Sequence, residues 1–474
     1  MARIAVVGGG SKVFARTVLL DLLVAPAVRS PEFVLFAPSR RNTDEVAGYI
    51  GRVIEANDLK GRVTVTTDRR EALDGADYVI TAFNIGGIKA FGKDYGIPKG
   101  YGIHQVIGDT LGPGGIFRAL RSVPVLLEVA GEMEELCPDA LLLNYVNPMA
   151  PLCWAVGRET EVSFVGLCHG VQNTLRLIGA CLDIPPDQID FLCAGINHMA
   201  WFLELERDGK DLYPELKEKF TEDGLLSQEP VRGEVFRHFG YFMTESSLHL
   251  SEYVPWFGRD YELRKRFGVD RFSDRFRSAY HWRKYLADLL EGQDVLAEES
   301  TELPSRSLEY CSSIVEAAET GDSFTFNGNV INEGLVENLP EGCCVEVPVQ
   351  VDGNGFVPKS VGALPPQCAA LNRTNVNVQR LVVEAAITGN PELVVQACAL
   401  DPLTSSILAP RETREMVREL FREEEKWLPQ FEGHLPGRVS RYEGKAAEGS
   451  VDLPPDPAFK ALKRLEELAR AEGR

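Results

Sequence analysis

An apolar run in FVGLCHGVQN, residues 164–173, ends on Cys168 and His169, and GINHMAW carries His198 thirty residues after the cysteine. A thiolate and an imidazole together suit a divalent transition ion such as manganese, iron, cobalt, nickel or zinc. Two protein ligands are too few for a closed structural site, so positions stay open for substrate and water. Cys168 follows VSFVGL and His198 follows LCAGIN, which places both at the ends of expected strands. The competing reading is packing: a lone cysteine flanked by apolar residues is usually a buried hydrophobe, and a lone histidine a satisfied core residue.

Chemistry of a second kind is written into the first residues. RIAVVGGGSKVFARTVLLDLL passes from a buried-strand run, Ile4 to Val7, through Gly8, Gly9 and Gly10 into a helix pattern with Val13, Val18, Leu19 and Leu22 on one face. Strand, glycine turn and helix form the first unit of a dinucleotide-binding fold. There the glycines let the backbone approach a pyrophosphate, and the helix start offers free N–H groups. Gly8, Gly10 and Ser11 are the expected contacts. The spacing is not the full GxGxxG, because Val13 stands at the last glycine position. Further strands are expected at 32–37, 63–67, 77–83 and 141–148, alternating with helical segments, so a parallel sheet covered on both faces follows. Ligands bind at the carboxyl edge of such sheets, which brings Asn84, Asn144 and Asn147 to the same edge as Gly8. The second strand ends in FAPSRR, without the acidic residue that usually holds the ribose of NAD; Arg40 or Arg41 there would accept a 2′-phosphate, leaving NADP open, or simply start a solvated helix.

Eight segments resemble the NAD- and metal-dependent family 4 glycoside hydrolases, in the family's order and over most of the chain. They are VVGGGSKVFARTVLLDLL, GDTLGPGGIFRALRSVPV, NYVNPMA, GLCHGVQ, GINHMAWF, FGYFMTESSLHLSEYVPWF, NLPEGCCVEVPVQVD and LPPQCAALNRTNVNVQRLVVEAA. The likeness is greatest to the α-galactosidase-like branch, while Cys168-His169-Gly170-Val171 resembles the form found in α-glucuronidases and α-galacturonidases. The resemblance implies that Cys168 and His198 bind Mn²⁺ or a similar ion. It also implies hydrolysis by a redox route: NAD takes a hydride from sugar C3, the C2 proton becomes acidic and is removed, the C1 substituent leaves, water adds, and the hydride returns. The metal stabilises the developing negative charge as a Lewis acid. A hexuronic acid α-glycoside is the expected substrate. An α-galactoside cleaved in the same way, or an ordinary NAD(P)-dependent sugar dehydrogenase, is the alternative.

The family's tyrosine base falls near Ser246 in FGYFMTESSLHLSEY, and serine is a poor base without a partner. Tyr253, His249 and Tyr241 are nearby and chemically capable, with Glu245 a weaker option; Tyr253 and His249 are expected to carry the proton step. His169 is expected to protonate the leaving oxygen or bind a sugar hydroxyl, and Asn147 to contact substrate. A uronic acid needs an arginine for its carboxylate, which Arg118 or Arg373 would supply.

These elements sit in a chain of 474 residues, too long for one ordinary core. The expected architecture is α/β: a Rossmann-like doubly wound parallel sheet over residues 1–195 and a C-terminal mixed α/β domain over 196–474, with the active site between them. A formal net charge of −20 argues against nucleic acid or an anionic membrane as a main partner. The ten scattered cysteines read as reduced thiols, and no signal peptide or membrane span is visible, so a cytoplasmic protein is expected. A small sugar substrate and a homodimer or homotetramer complete the expectation, with the charged tail after residue 453 a solvated end or an oligomer contact.

Overall fold

The computed structural model describes residues 2–221, 224–290, 293–440 and 457–471. The chain divides into a compact unit, Met1–Pro436, and a second unit, Gly437–Arg474. The second unit carries the tail helix Pro457–Ala471, whose Leu462, Leu465 and Leu468 are exposed.

The first unit is organised by one mixed sheet. Its parallel half contains β1 (Arg3–Val7), β2 (Glu32–Phe36), β3 (Arg62–Thr66), β4 (Tyr78–Thr81), β5 (Leu141–Asn144) and β6 (Phe164–Gly166). They lie in the order β3-β2-β1-β4-β5-β6, the doubly wound dinucleotide-binding order. β1, β2, β4 and β5 are short runs of Val, Ile, Leu and Phe, as strands covered by helices on both faces must be.

The same sheet continues past β6. β7 (Asp190–Ile196), β8 (Met199–Arg207), the two-residue β9 (Lys210–Asp211), β10 (Phe242–Met243), β11 (Phe324–Ile331), β12 (Cys344–Asp352) and β13 (Gly355–Pro358) supply the rest. The order beyond β6 is β11-β12-β7-β8-β10, all antiparallel. One row of Cα partners crosses four strands here: Gly166 on β6, Asn329 on β11, Glu346 on β12 and Gly195 on β7. The Asn329 amide donates to the Gly166 carbonyl at 3.2 Å, and Asn327 donates to Cys193 on β7 at 2.8 Å. Gly195 lies within β7.

Helices cover this frame. Gly112–Leu136 packs against the long helix Pro366–Thr388, and Met149–Glu159 packs against both. Arg121 is buried with Asp94 at 2.7 Å and with Glu424, an ion network joining three helices. All ten cysteines are free thiols. Among the described residues no helix is long and apolar enough to cross a membrane.

The turn after β1 is packed to the limit. Gly8 has φ +99°, and a Cβ placed on it would lie 2.3 Å from the Ala82 carbonyl oxygen; one on Gly9 would lie 2.8 Å from Leu35 Cβ. Only glycine meets both conditions at residue 8. Gly8→Ala is therefore expected to cost about 1–3 kcal/mol through strain alone, read as a lowered thermal unfolding midpoint; an unchanged midpoint would contradict the turn geometry.

Candidate functional site

Cys168 lies two residues beyond β6, and His198 sits in the turn between β7 and β8 with φ +63°. The four-strand row brings these two strand ends to one place, and both side chains line a single cavity of about 610 Å³. The helix Gly170–Leu182 starts directly after His169, and the Gly170 N–H donates to Cys168 Sγ at 3.4 Å. Asn147, Phe14 from the first helix after the glycine turn, Asp109 and Ile107 line the same cavity. So do Arg232, Glu245 and His249.

Two carboxylate–histidine pairs stand at its wall. The His198 Nδ1 lies 3.4 Å from Glu245, and the His249 Nδ1 lies 3.3 Å from Glu252, each at ion-pair distance but off the hydrogen-bond line. The two imidazole rings meet edge to face, 5.0 Å apart. Donor atoms of His198, Glu245 and His249 all lie within 4.8 Å of one another, close enough to share one cation. In each ring it is the Nδ1 beside its carboxylate that makes no hydrogen bond, and buried polar atoms without partners are rare. The donor set of imidazole, carboxylate and, across the same cavity, thiol fits a transition-metal ion.

Burial dominates the electrostatics of the groups around the cavity. Burial pushes the Cys168 thiol up to about 12, so at neutral pH it is a thiol until a positive charge is brought beside it. Burial pushes the Glu346 carboxyl, in the sheet beneath, up to about 7. Asp109 is also fully buried, but the Arg118 and Arg283 guanidinium groups overcome the burial and hold it well below the usual carboxylate range.

Glu252 stands buried behind His249. Its carboxylate accepts from the backbone N–H groups of Val106, Ile107 and Gly108 at 2.6, 2.7 and 3.1 Å. One buried side chain thereby fixes the loop leading to Asp109 and Thr110 and faces His249, whose Nε2 lies 3.3 Å from Thr110 Oγ1.

The remaining sequence-selected residues fall in different places. His169 is at the mouth, half exposed, with Nδ1 3.1 Å from Glu309. Tyr253 is buried behind the rings of His198 and His249, at 6.2 and 5.3 Å between centroids, and does not line the cavity. Arg118 is buried; its Nε donates to the Asn147 carbonyl at 3.1 Å and its Nη1 faces Asp109 at 3.6 Å. Arg373 is exposed on its helix. Asn144 is buried, accepts from Thr81 at 2.8 Å and from the Val146 N–H, and donates to the Val146 carbonyl, so its amide is spent on the β4–β5 edge. Asn84 is exposed, and its carbonyl accepts from Gly87. The Ser11 hydroxyl accepts from Phe14 N–H at the start of the first helix. Arg40 is exposed and paired with Asp44 one turn along.

Sequence reasoning passed over Asp109, Arg232 and Glu252. Glu252 precedes Tyr253 in a stretch that reads as an ordinary helix, and Arg232 in PVRGEVFRHF looks like a solvated cation. A glutamate flanked by Ser251 and Tyr253 in an otherwise aromatic and apolar segment was the one available signal.

A dinucleotide-type sheet opens at its carboxyl edge on a cavity lined by thiol, imidazole and carboxylate groups, the arrangement of an α/β enzyme. Comparison with known proteins makes the assignment specific. Residues 3–184 match the Family 4 glycosyl hydrolase and residues 193–404 match the Family 4 glycosyl hydrolase C-terminal domain, so the chain belongs to that family. It is 41% identical to an alpha-galactosidase of Bacillus subtilis, over 91% of this chain and 100% of that protein. It is 30% identical to an alpha-galacturonidase of Thermoanaerobacterium saccharolyticum, over 90% and 96% of the two chains. The fold matches a 6-phospho-beta glucosidase of Thermotoga maritima with manganese, NAD+ and glucose-6-phosphate, with TM-score 0.75 at 22% identity over 90% and 99% of the chains.

Removing the Glu252 carboxylate leaves three buried N–H groups without an acceptor, each costing about 1–3 kcal/mol. Glu252→Ala is expected to lower the thermal midpoint and to cut kcat/KM sharply. Glu252→Gln, which keeps one acceptor oxygen, should fall between it and wild type. Equal midpoints for the three proteins would show that the loop is held elsewhere.

Proposed function

We propose that this family 4 enzyme cleaves the α-glycosidic bond of galacto-configured sugars by transient oxidation of the sugar ring, using a nicotinamide dinucleotide and a divalent cation such as manganese. The observation that carries this reading is that Cys168 lines the same cavity as the close cluster of His198, Glu245 and His249, beside the helix that follows the glycine turn. Cys168 and His198 would hold the cation, and Gly8, Gly9 and Gly10 would cradle the pyrophosphate where side chains do not fit. When bound, the dinucleotide supplies hydride exchange with the sugar ring and the cation supplies Lewis acidity at the sugar oxygens.

The residues divide the remaining work. With Glu245 beside its Nδ1, His198 would offer Nε2 to the cation, and His249, which lines the cavity between Glu252 and Thr110, would take the proton. His169, at the mouth, is the group placed to hand a proton to a departing oxygen; its hydrogen bond to Glu309 raises its affinity for that proton. Asn147 lines the floor where sugar hydroxyls would lie.

The α-galactoside reading rests on relatives named alpha-galactosidase at 41% and 38% identity. A second reading, an α-hexuronide such as an α-galacturonide, is favoured by Cys168-His169-Gly170-Val171 and by Arg232. That arginine lines the cavity and is buried; its Nε lies 3.3 Å from Glu229, and its Nη1 has no hydrogen-bond partner, leaving one side of the guanidinium for a sugar carboxylate.

The test is p-nitrophenol release from α-galactoside, α-galacturonide and α-glucuronide with NAD⁺ and Mn²⁺. The proposal expects α-galactoside to have the highest kcat/KM, loss of activity on chelation, and no accumulation of reduced dinucleotide. The highest kcat/KM on a hexuronide would install the second reading. Reduced dinucleotide growing in step with product would overturn the recycling route.

A further inference from the structure

Residues 259–284 contain nine basic and four acidic side chains, in a chain whose formal net charge is −20. Part of that run lines a second cavity of about 500 Å³, separate from the catalytic one. Lys99, Arg264, Lys265, Arg271 and Arg277 border it, with Asp270 as its single carboxylate. Asp270 is taken by Arg264 at 2.9 Å, and Arg264 is itself buried, with Nη1 donating to the Gly258 carbonyl. Among the described residues, no carboxylate lies within ion-pair distance of Lys265, Arg271 or Arg277. Burial, and after it the Arg264 and Lys99 charges, hold the His104 imidazole on this wall below its ordinary value. Uncompensated cations gathered around a concave space are costly unless an anion joins them.

Consecutive residues of one loop reach the two cavities. Val106 lines the basic cavity and Ile107, the next residue, lines the catalytic one. Both backbone N–H groups are held by Glu252, which also faces His249. The Val106 carbonyl accepts from Ala279 at 2.7 Å, close in sequence to Arg277.

We propose that the basic cavity is a second binding site, for a small molecule bearing a phosphoryl group, and that its occupancy is felt in the catalytic cavity through the 104–108 loop. A dianion with three terminal oxygens is the chemistry that several separate ammonium and guanidinium groups around one space select. Free phosphate and a phosphate monoester share that chemistry. The site stands apart from the assignment of the glycosidic substrate, since none of its cations lines the catalytic cavity.

The experiment is calorimetric titration of the full-length enzyme, loaded with NAD⁺ and Mn²⁺, with inorganic phosphate, with glycerol 3-phosphate and with neutral glycerol. Wild type is expected to bind one or both phosphates and not glycerol; the stronger of the two identifies the source. Arg271→Ala and Arg277→Ala, both at the surface of the run, should each weaken binding by about tenfold or more. Their activity without phosphate should match wild type, and phosphate should shift the KM or kcat of wild type but not of the double variant. Unaltered phosphate affinity in the double variant overturns the site, as does the absence of binding at millimolar phosphate. A change in oligomeric mass by light scattering in the double variant, with phosphate affinity unmoved, overturns it in favour of a subunit contact. Phosphate binding without any change in wild-type kinetics overturns the coupling.

Discussion

Everything at the site depends on two antiparallel strands, β11 and β12, standing between β6 and β7. The row Gly166–Asn329–Glu346–Gly195 fixes the register of four strands at once, and a slip of one residue would turn each side chain to the opposite face. Cys168 and His198 come from loops thirty residues apart in sequence and from strands separated by two others. Their meeting in one cavity is a property of this pairing and of nothing local. The fit leaves no slack: a Cβ on Gly166 would lie 2.5 Å from Cys153 Sγ and Met149 Sδ, and one on Gly195 2.5 Å from the Met199 carbonyl oxygen.

Onto that frame the chain sets charges in pairs. Glu245 faces His198, Glu252 faces His249, and Asp109 is shared by Arg118 and Arg283. Buried ions of this kind add little to stability by themselves, because desolvation offsets their attraction. Their effect is local: each imidazole has one nitrogen beside a carboxylate at ion-pair distance. The cavity also carries a thiol that burial keeps protonated, so binding of a cation by Cys168 would be linked to proton release.

Much of the parallel half was legible in the residues. Apolar runs marked β1 to β6, and the glycine turn marked the start of the sheet's carboxyl edge. The continuation of the sheet was not legible, since β11 pairs with β6 across more than 160 residues and no local pattern encodes such a partner. Within the site, Cys168 and His198 stood out because each ends an apolar run. Glu252 did not, because its importance lies in three backbone N–H groups of a loop some 145 residues earlier. Asn144 shows the converse: a polar residue at a strand end looks like a ligand contact, but its amide is consumed by Thr81 and Val146.

The central claim, that a thiolate and an imidazole from separate loops grip the same cation, is tested most directly by the optical spectrum of the enzyme titrated with Co²⁺. A sulfur-to-cobalt charge-transfer band should grow to saturation in wild type, vanish in Cys168→Ser, and weaken in His198→Ala as affinity falls. A wild-type spectrum without that band, or one that Cys168→Ser leaves unchanged, would contradict the account.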